Sequence, residues 1–204
     1  SSKTQSALLE AMEERQITVD GRTYPLEKPF VVIATQNNVG TAGTQVLPYA
    51  QMDRFMVRLS VGYPDHDAQM ALLRDRLSEN PLDAVEQVLT REELLAMQAD
   101  VRAVQTGDAL LDYITRLTMA SREHPNVEVG VSPRGALLLC RMAKARAYLL
   151  GRAFAVSEDV QAVFEPVCAH RLIVSAKARL AGVSAADVVR ELLADVPNPD
   201  RAAL

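Results

Sequence analysis

The sequence contains no tryptophan, and aromatic residues occupy only 4% of its 204 positions. Leu, Ala and Val supply most of the apolar content, and long stretches of the chain favour helix. The two cysteines, Cys140 and Cys168, lack the CxxC or Cys/His spacing of a metal or redox site, so we expect small buried or half-buried residues. The histidines are too scattered to predict a metal site; they are His66, His124 and His170.

The sequence also lacks an excess of positive charge. Its formal net charge is -4, which argues against nucleic acid as a partner because neutralising a phosphate backbone needs a basic surface. No apolar run is long enough to cross a membrane, and no signal-peptide pattern opens the chain. We therefore expect a cytoplasmic protein without a membrane span.

The first sixty residues mix helix and strand patterns. A helix is predicted up to about Arg15, and a hairpin follows, with Asp20-Gly21 as its turn because both residues tolerate positive φ. The apolar run Phe30–Ala34 and the alternating segment Phe55–Val61 are predicted strands, the first suited to a parallel sheet buried on both faces. Two such strands are too little sheet to stand alone, so we expect the chain to begin inside a larger domain.

Beyond Pro64 the pattern is almost wholly helical. Ser132 and Pro133 are predicted as the N-cap and first residue of one helix, and Gly151 ends it. Ser184 with Asp187 predicts the start of the last helix. Helical periodicity covers residues 65–77, 91–102, 108–123, 133–150, 158–171 and 184–194, with a short extended piece at 127–131.

Asn37 is the first candidate site residue. It ends the segment Ala34-Thr35-Gln36-Asn37, a polar tip after the predicted buried strand. Ligands of open parallel sheets sit beside such strand ends. The amide could orient an attacking water or contact a phosphate; the alternative is that it only caps a turn.

Arg54 is the second candidate. It lies where a short predicted helix meets the strand that starts at Phe55, so its direction is fixed. A fixed guanidinium is what a phosphoryl-transfer site needs from outside. The alternatives are a surface pair with Asp53 or a solvated charge, and Arg58, on the polar face of the same strand, is a competitor.

Arg134 is the third candidate. It lies in the first turn of a helix, where the helix dipole disfavours a cation. That conflict is relieved if the side chain points toward an anion; otherwise Arg134 is an extended surface residue. His170 and Arg171 are interpreted as structural, and the acidic helix faces, including Glu13, as solvated.

Four segments in this order resemble the MoxR family of AAA+ ATPases, and the resemblance runs from residue 3 to about residue 196: KTQSALLEAMEERQITVDGRTYPL, FVVIATQN, LPYAQMDRFMVRLSVGYP and GVSPRGALLL. It implies an α/β fold, in which the C-terminal portion of an AAA+ P-loop core, with an incomplete parallel sheet and an inserted β-hairpin, precedes an all-α lid. The implied divisions are core 1–64 with hairpin insert 16–27, linker and connecting helices 65–107, helical lid 108–196 and tail 197–204.

The resemblance also implies the chemistry. Asn37 corresponds to the sensor-1 Asn, Arg54 to the arginine finger that reaches a neighbouring subunit, and Arg134 to the sensor-2 Arg that reaches the γ-phosphate of its own subunit. Such proteins bind ATP and Mg²⁺, form rings that are commonly hexameric, and hydrolyse ATP at subunit interfaces. They remodel or mature protein clients, often with a von Willebrand factor A-domain partner.

The chain departs from the family pattern in three respects. It contains no GxxxxGK(S/T) phosphate loop and no acidic pair after a strand for Mg²⁺, both of which precede residue 1 in the family, so the chain alone is predicted inactive. The loop 38–43 is uncharged, and Tyr49 replaces a common Glu. Two alternatives stay open: a non-enzymatic helical interaction module, and a related magnesium-chelatase-like or DNA-remodelling motor. The sequence does not name the client.

Overall fold

The computed structural model describes residues 2–36, 47–76 and 81–199. Four short strands and nine helices alternate along these residues, with 3-10 turns at Pro81–Ala84 and Ala169–Arg171. The elements are α1 (Ser2–Glu14), β1 (Gln16–Val19), β2 (Arg22–Pro25), α2 (Tyr49–Met52), α3 (His66–Arg76), α4 (Arg91–Ala103), α5 (Asp108–Glu123), β3 (Val127–Val129), α6 (Pro133–Leu149), α7 (Ser157–Cys168), β4 (Ile173–Val174), α8 (Ala176–Leu180) and α9 (Ala185–Asp195).

The predicted hairpin is confirmed. Strands β1 and β2 pair antiparallel across a two-residue turn, in which Asp20 has φ 49° and Gly21 has φ 75°. Positive φ at both positions is the requirement of the tight turn that matches strand twist. The hydroxyl of Thr18 donates to a carboxylate oxygen of Glu10 at 2.6 Å, which links the hairpin to α1.

The two predicted core strands are not strands in the described residues. Phe30–Ala34 and Phe55–Val61 belong to no sheet. Ile33 is 88% exposed and Val61 is 99% exposed, so neither faces an apolar layer. An apolar run becomes a strand only when another backbone pairs with it, and none of the described segments does so.

The helical prediction after residue 90 is confirmed to within about three residues, and helices α5, α6, α7 and α9 enclose the main core. The helix predicted over 158–171 ends earlier, at Cys168, and continues as a 3-10 turn. Side chains with at most 1% exposure fill this core: Tyr113, Leu117, Leu139, Val160, Phe164, Val167, Val188 and Val189. Burying each large apolar side chain contributes roughly 1.5–3 kcal/mol, so the lid has a substantial core of its own.

The predicted helix starts are also confirmed. The hydroxyl of Ser132 accepts from the amide of Gly135 at 3.1 Å, with Pro133 as the first helical residue. Ser184 and Asp187 form a reciprocal capping box at α9. The predicted extended piece is β3, which pairs antiparallel with β4.

A buried ion cluster joins α6 to α7. The carboxylate of Asp159 accepts from Arg146 at 2.5 Å and from Arg152 at 2.5 and 2.8 Å. Burial by itself raises the pKa of Asp159, but hydrogen bonds from Arg152, the amide of Val156 and Arg146 together hold it below its usual value. The cluster stabilises this end of the lid without contacting the N-terminal part of the described chain.

The two cysteines are half-buried and buried, as predicted. Cys140 is half-buried, and burial raises the pKa of the buried Cys168 to about 12. Residues 2–36, 47–76 and 81–199 contain no group of His, Cys, Asp and Glu that could hold a metal ion. Within the same residues, every helix is too short or too polar to cross a bilayer.

The buried guanidinium of Arg171 joins the two parts of the chain. Its side chain is fully buried, and its Nε donates to the carboxylate of Asp53 at 2.9 Å. Its Nη2 donates to the carbonyls of Asp53 at 2.9 Å and Phe55 at 2.6 Å. Nη1 donates to the carbonyls of Met56 and Val167. Arg171 therefore binds four acceptor atoms of the segment after α2, on the three residues Asp53, Phe55 and Met56.

Two neighbours complete this contact. The Nε2 atom of His170 lies 2.7 Å from Nη1 of Arg171 and 3.2 Å from the carbonyl of Phe55. Burial, reinforced by the positive charge of Arg171, lowers the pKa of His170 to about 4. A Cβ atom on Gly135 would lie 2.9 Å from Cδ of Arg171, so the close approach of Arg171 to α6 needs glycine there. The interpretation of His170 and Arg171 as structural residues agrees with this burial.

Amide exchange should differ sharply between the two parts of the chain. We expect backbone amides of Val31–Ile33 to exchange faster than those of Leu137–Met142, because the first segment is in no described sheet and the second is inside α6. Hydrogen–deuterium exchange with residue-level readout measures this. Equal or greater protection of Val31–Ile33 would contradict the expectation and indicate that another backbone pairs with this segment.

Acidification should destabilise the lid through His170. Its pKa is about 4 when folded against about 6.5 when unfolded, so its contribution is complete above pH 6.5 and is lost as the pH falls toward 4. The free energy of unfolding should fall by about 2 kcal/mol between pH 7 and pH 5 from this residue alone. Denaturant unfolding at both pH values measures it. The variant His170→Gln should lack this part of the pH dependence. If its free energy of unfolding falls as much between pH 7 and pH 5 as that of the wild type, the assignment to His170 is contradicted.

Candidate functional site

Arg54 follows α2 and is held by its backbone. Its amide donates to the carbonyl of Gln51 at 3.2 Å, and its Nε donates to the carbonyl of Ala50 at 3.4 Å. Its Nη1 forms an ion pair with the carboxylate of Glu13 in α1. The guanidinium is partly exposed. Arg54 therefore lies at a fixed junction, as the sequence predicts, although Phe55 does not begin a strand there.

Arg134 is the second residue of α6. Its Nη2 donates to the carboxylate of Glu13 at 2.5 Å, and nearly half of its side chain is exposed. The sequence predicts that this arginine points toward an anion, because the start of a helix disfavours a cation. The anion that it contacts here is a carboxylate of the same chain.

Glu13 thus brings Arg54 and Arg134 together. Each arginine contacts a different oxygen of the one carboxylate, Arg54 at Oε2 and Arg134 at Oε1. The hydrogen bond from Arg54 is the main cause that holds the pKa of Glu13 below its usual value; Arg134 adds to it, and partial desolvation opposes both. Glu13 is exposed, as predicted for an acidic helix face, but it is also paired with two arginines, which the prediction did not include. Helical periodicity separates it from the apolar face, but gives no information about partners 41 or more residues away.

Asp53 joins the backbone next to Arg54 to the start of α6. Its carboxylate accepts from the hydroxyl of Ser132 at 3.1 and 3.2 Å, and from Nε of Arg171 at 2.9 Å. Ser132 is the N-cap of the helix that carries Arg134. The alternative of an Asp53–Arg54 surface pair is wrong, because the two side chains bind different partners.

Arg58 and Tyr49 make contacts other than those of this cluster. Arg58 is exposed, and its amide donates to the carbonyl of Pro166 at 2.9 Å. Asn37 lies outside the described residues. Tyr49, which departs from the family pattern, donates its hydroxyl to the carbonyl of Arg171 at 2.9 Å, so it adds a further contact between α2 and the lid.

The cluster of Glu13, Arg54 and Arg134 is suited to binding an anion. Two guanidiniums present planar sets of N–H donors to one point, a geometry that matches carboxylate and phosphate oxygens. Glu13 is about one-third exposed, so a phosphate group could compete with it for both arginines. The donor set fits the phosphates of ATP and does not fit Mg²⁺, for which the described residues offer no ligand group.

Family models match most of the two parts of the chain. Residues 1–57 match the ATPase family associated with various cellular activities (AAA), and residues 119–192 match the AAA lid domain. Arg54 lies in the first match, and Arg134 lies in the second.

Curated relatives match the chain over nearly its whole length. The uncharacterized protein YeaC of Bacillus subtilis is 40% identical over 98% of this chain and 62% of its own length. Chaperone MoxR1 of Mycobacterium tuberculosis is 34% identical over 97% of this chain and 54% of its own length. Protein MoxR of Methylorubrum extorquens is 30% identical over 94% of this chain and 62% of its own length. The chain therefore spans between about half and two thirds of these relatives.

A solved structure has the same fold. The crystal structure of a proposed ATPase from Cytophaga hutchinsonii superposes with a TM-score of 0.90 at 33% identity, over 97% of this chain and 63% of that one. These matches confirm the predicted fold class, the C-terminal portion of an α/β AAA+ core followed by a helical lid, although the lid also contains the two-stranded sheet β3–β4. The chain belongs to the MoxR family of AAA+ ATPases.

Proposed function

We propose that this chain forms part of a ring-shaped ATPase and supplies two arginines, Arg54 and Arg134, to the phosphates of an ATP molecule. The observation that carries the proposal is the shared carboxylate, because both guanidiniums converge on the two oxygens of Glu13. Charge stabilisation of the transferring phosphoryl group is the main task of such residues. Belonging to an ATPase family supports hydrolysis as the reaction.

The proposal takes the remaining parts of the site from outside the described residues. Asn37 is proposed as the sensor-1 residue that orients water or contacts phosphate. No GxxxxGK(S/T) occurs in the 204 residues, so the phosphate loop and the Mg²⁺ ligands are assigned to the part of the relatives that this chain does not span. The proposed divisions are core 1–64, linker 65–107, lid 108–196 and tail 197–204. In the tests below, full-length protein means this chain joined to that phosphate loop.

The position of Arg134 favours one site for both arginines. The family resemblance assigns Arg134 to the nucleotide of its own subunit and Arg54 to that of the neighbour. Two side chains on one carboxylate point to one region of the surface, which supports a common target. We therefore propose that both act on the ATP of the neighbouring subunit.

The wider role follows the relatives. The name Chaperone MoxR1 supports the remodelling or maturation of protein clients, in a ring that we propose to be hexameric and cytoplasmic. A von Willebrand factor A-domain protein is the proposed partner.

Retained hydrolysis in the Arg54→Ala variant would remove this residue from the site. Absence of ATPase activity from the full-length wild type would favour the helical interaction module, and client identification would separate a chelatase-like or DNA-remodelling motor.

Arg54→Ala in the full-length protein should abolish hydrolysis while nucleotide binding survives. The expected loss of turnover is about 10³–10⁵-fold, the contribution of a positioned arginine to phosphoryl transfer. Arg54→Lys should recover little, because an ammonium cannot reproduce the planar set of donors. Turnover and binding of a fluorescent ATP analogue measure the two effects. Arg58→Ala is the matched control, and a larger loss in that variant would make Arg58 the finger.

Mixed rings should show on which side of the interface each arginine acts. A variant without its phosphate-loop Lys should recover activity when mixed with Arg54→Ala, and equally with Arg134→Ala, because some interfaces then combine an intact loop with two intact arginines. A mixture of Arg54→Ala with Arg134→Ala should stay inactive, since no subunit carries both arginines. ATPase assays after demonstrated subunit exchange measure this. Recovery in the last mixture would return Arg134 to the nucleotide of its own subunit.

A further inference from the structure

Asp53 is connected to both arginines of the cluster: it is the chain neighbour of Arg54, and it binds Ser132, the N-cap of the helix that carries Arg134. It precedes Arg54 in the chain, and its carboxylate accepts from Ser132 at 3.1 and 3.2 Å. Ser132 in turn accepts the amide of Gly135 at 3.1 Å and so fixes the first turn of α6, where Arg134 lies. A single carboxylate therefore links the backbone of one arginine to the helix start of the other.

Arg171 fixes the same segment from the lid. It donates to the carboxylate and carbonyl of Asp53, each at 2.9 Å, and to the carbonyl of Phe55 at 2.6 Å. These two carbonyls belong to the residues on either side of Arg54. The peptide groups around Arg54 therefore cannot rotate or shift without breaking hydrogen bonds to a buried guanidinium.

Neither Asp53 nor Arg171 can reach a nucleotide in place of these contacts. The side chain of Arg171 has no exposure, and that of Asp53 retains only 13%. Their bonds are directed at the backbone and the helix cap, whereas the side chains of the cluster, Glu13, Arg54 and Arg134, are partly exposed. The geometry fits residues that act through the two arginines.

We infer that Asp53, held by Arg171, is a positioning residue. It keeps Arg54 and Arg134 in a fixed position relative to each other, facing the neighbouring subunit. The inference deepens the proposed function and rests on it. It predicts that the position of the lid and the position of the arginine finger are coupled within one subunit. A subunit in which the contacts of Asp53 are lost should then supply its arginines poorly to the neighbouring site, while its own ATP site works normally.

The test uses two full-length parent variants. The donor parent lacks its phosphate-loop Lys and supplies intact arginines; the acceptor parent carries Arg54→Ala and supplies the loop. Asp53→Asn is added to the donor in one mixture and to the acceptor in another. We expect the recovered ATPase activity to fall by up to about 100-fold in the first mixture, the effect of a misplacement near 1 Å, and to stay near the parental value in the second.

Matched controls separate positioning from stability. Asp159→Asn alters another buried carboxylate, which binds the two lid arginines Arg146 and Arg152 instead of the segment 53–56 around Arg54. It should lower activity equally in donor and acceptor. Ser132→Ala, a milder change, should repeat the asymmetry of Asp53→Asn, whereas Ser184→Ala removes an N-cap at α9 and should not. The Ser132 pair keeps the test valid if Asp53→Asn subunits do not fold.

The outcomes are distinct. No recovery in the mixture of the two unaltered parents, despite subunit exchange, overturns the proposed function and this inference with it. Recovery in the parents with equal losses in donor and acceptor overturns the inference alone and makes Asp53 a residue of stability. No loss with either Asp53→Asn or Ser132→Ala in the donor also overturns it. A loss confined to the donor side supports it.

Discussion

The contact between Arg171 and the segment after α2 is the constraint on which the rest of the arrangement depends. Removing a guanidinium from water costs several kcal/mol unless its donors are satisfied. The lid supplies only part of that satisfaction, through the carbonyl of Val167 and the ring of His170. The remaining acceptors come from residues 53–56, more than 110 positions earlier in the chain. Separation of the two parts would therefore remove most of the acceptors of this guanidinium.

Two carboxylates near this contact have different tasks because their exposure differs. Asp53 is largely shielded from water, so its bonds to Ser132 and Arg171 are hard to exchange. Glu13 is more accessible, and ion pairs at exposed positions contribute little stability and are readily replaced. Asp53 can therefore fix the backbone next to Arg54, while Glu13 binds two arginines from which a phosphate could displace it.

The wrong predictions share one physical cause. Phe30–Ala34 has the composition of a buried strand, but composition cannot supply the second backbone that a strand needs. Asp53 and Arg54 are adjacent, yet α2 and the lid direct their side chains to different partners. Glu13 lies on an exposed polar face, as the helical period predicts, but that period does not identify the two arginines that approach it. In each case the deciding partner is distant in sequence.

The sequence by itself determined the local structure of this protein. The turn at Asp20-Gly21, the cap at Ser132 and the helices after residue 90 follow from backbone preferences, capping and periodicity, which act over a few neighbouring residues. The local context of Arg54 and Arg134 made both residues candidates, and the family motifs implied their roles. Only the tertiary structure decided that both contact Glu13 and that Asp53 joins their supports, because those contacts join residues 41 to 121 positions apart and depend on how the lid packs against the earlier segment.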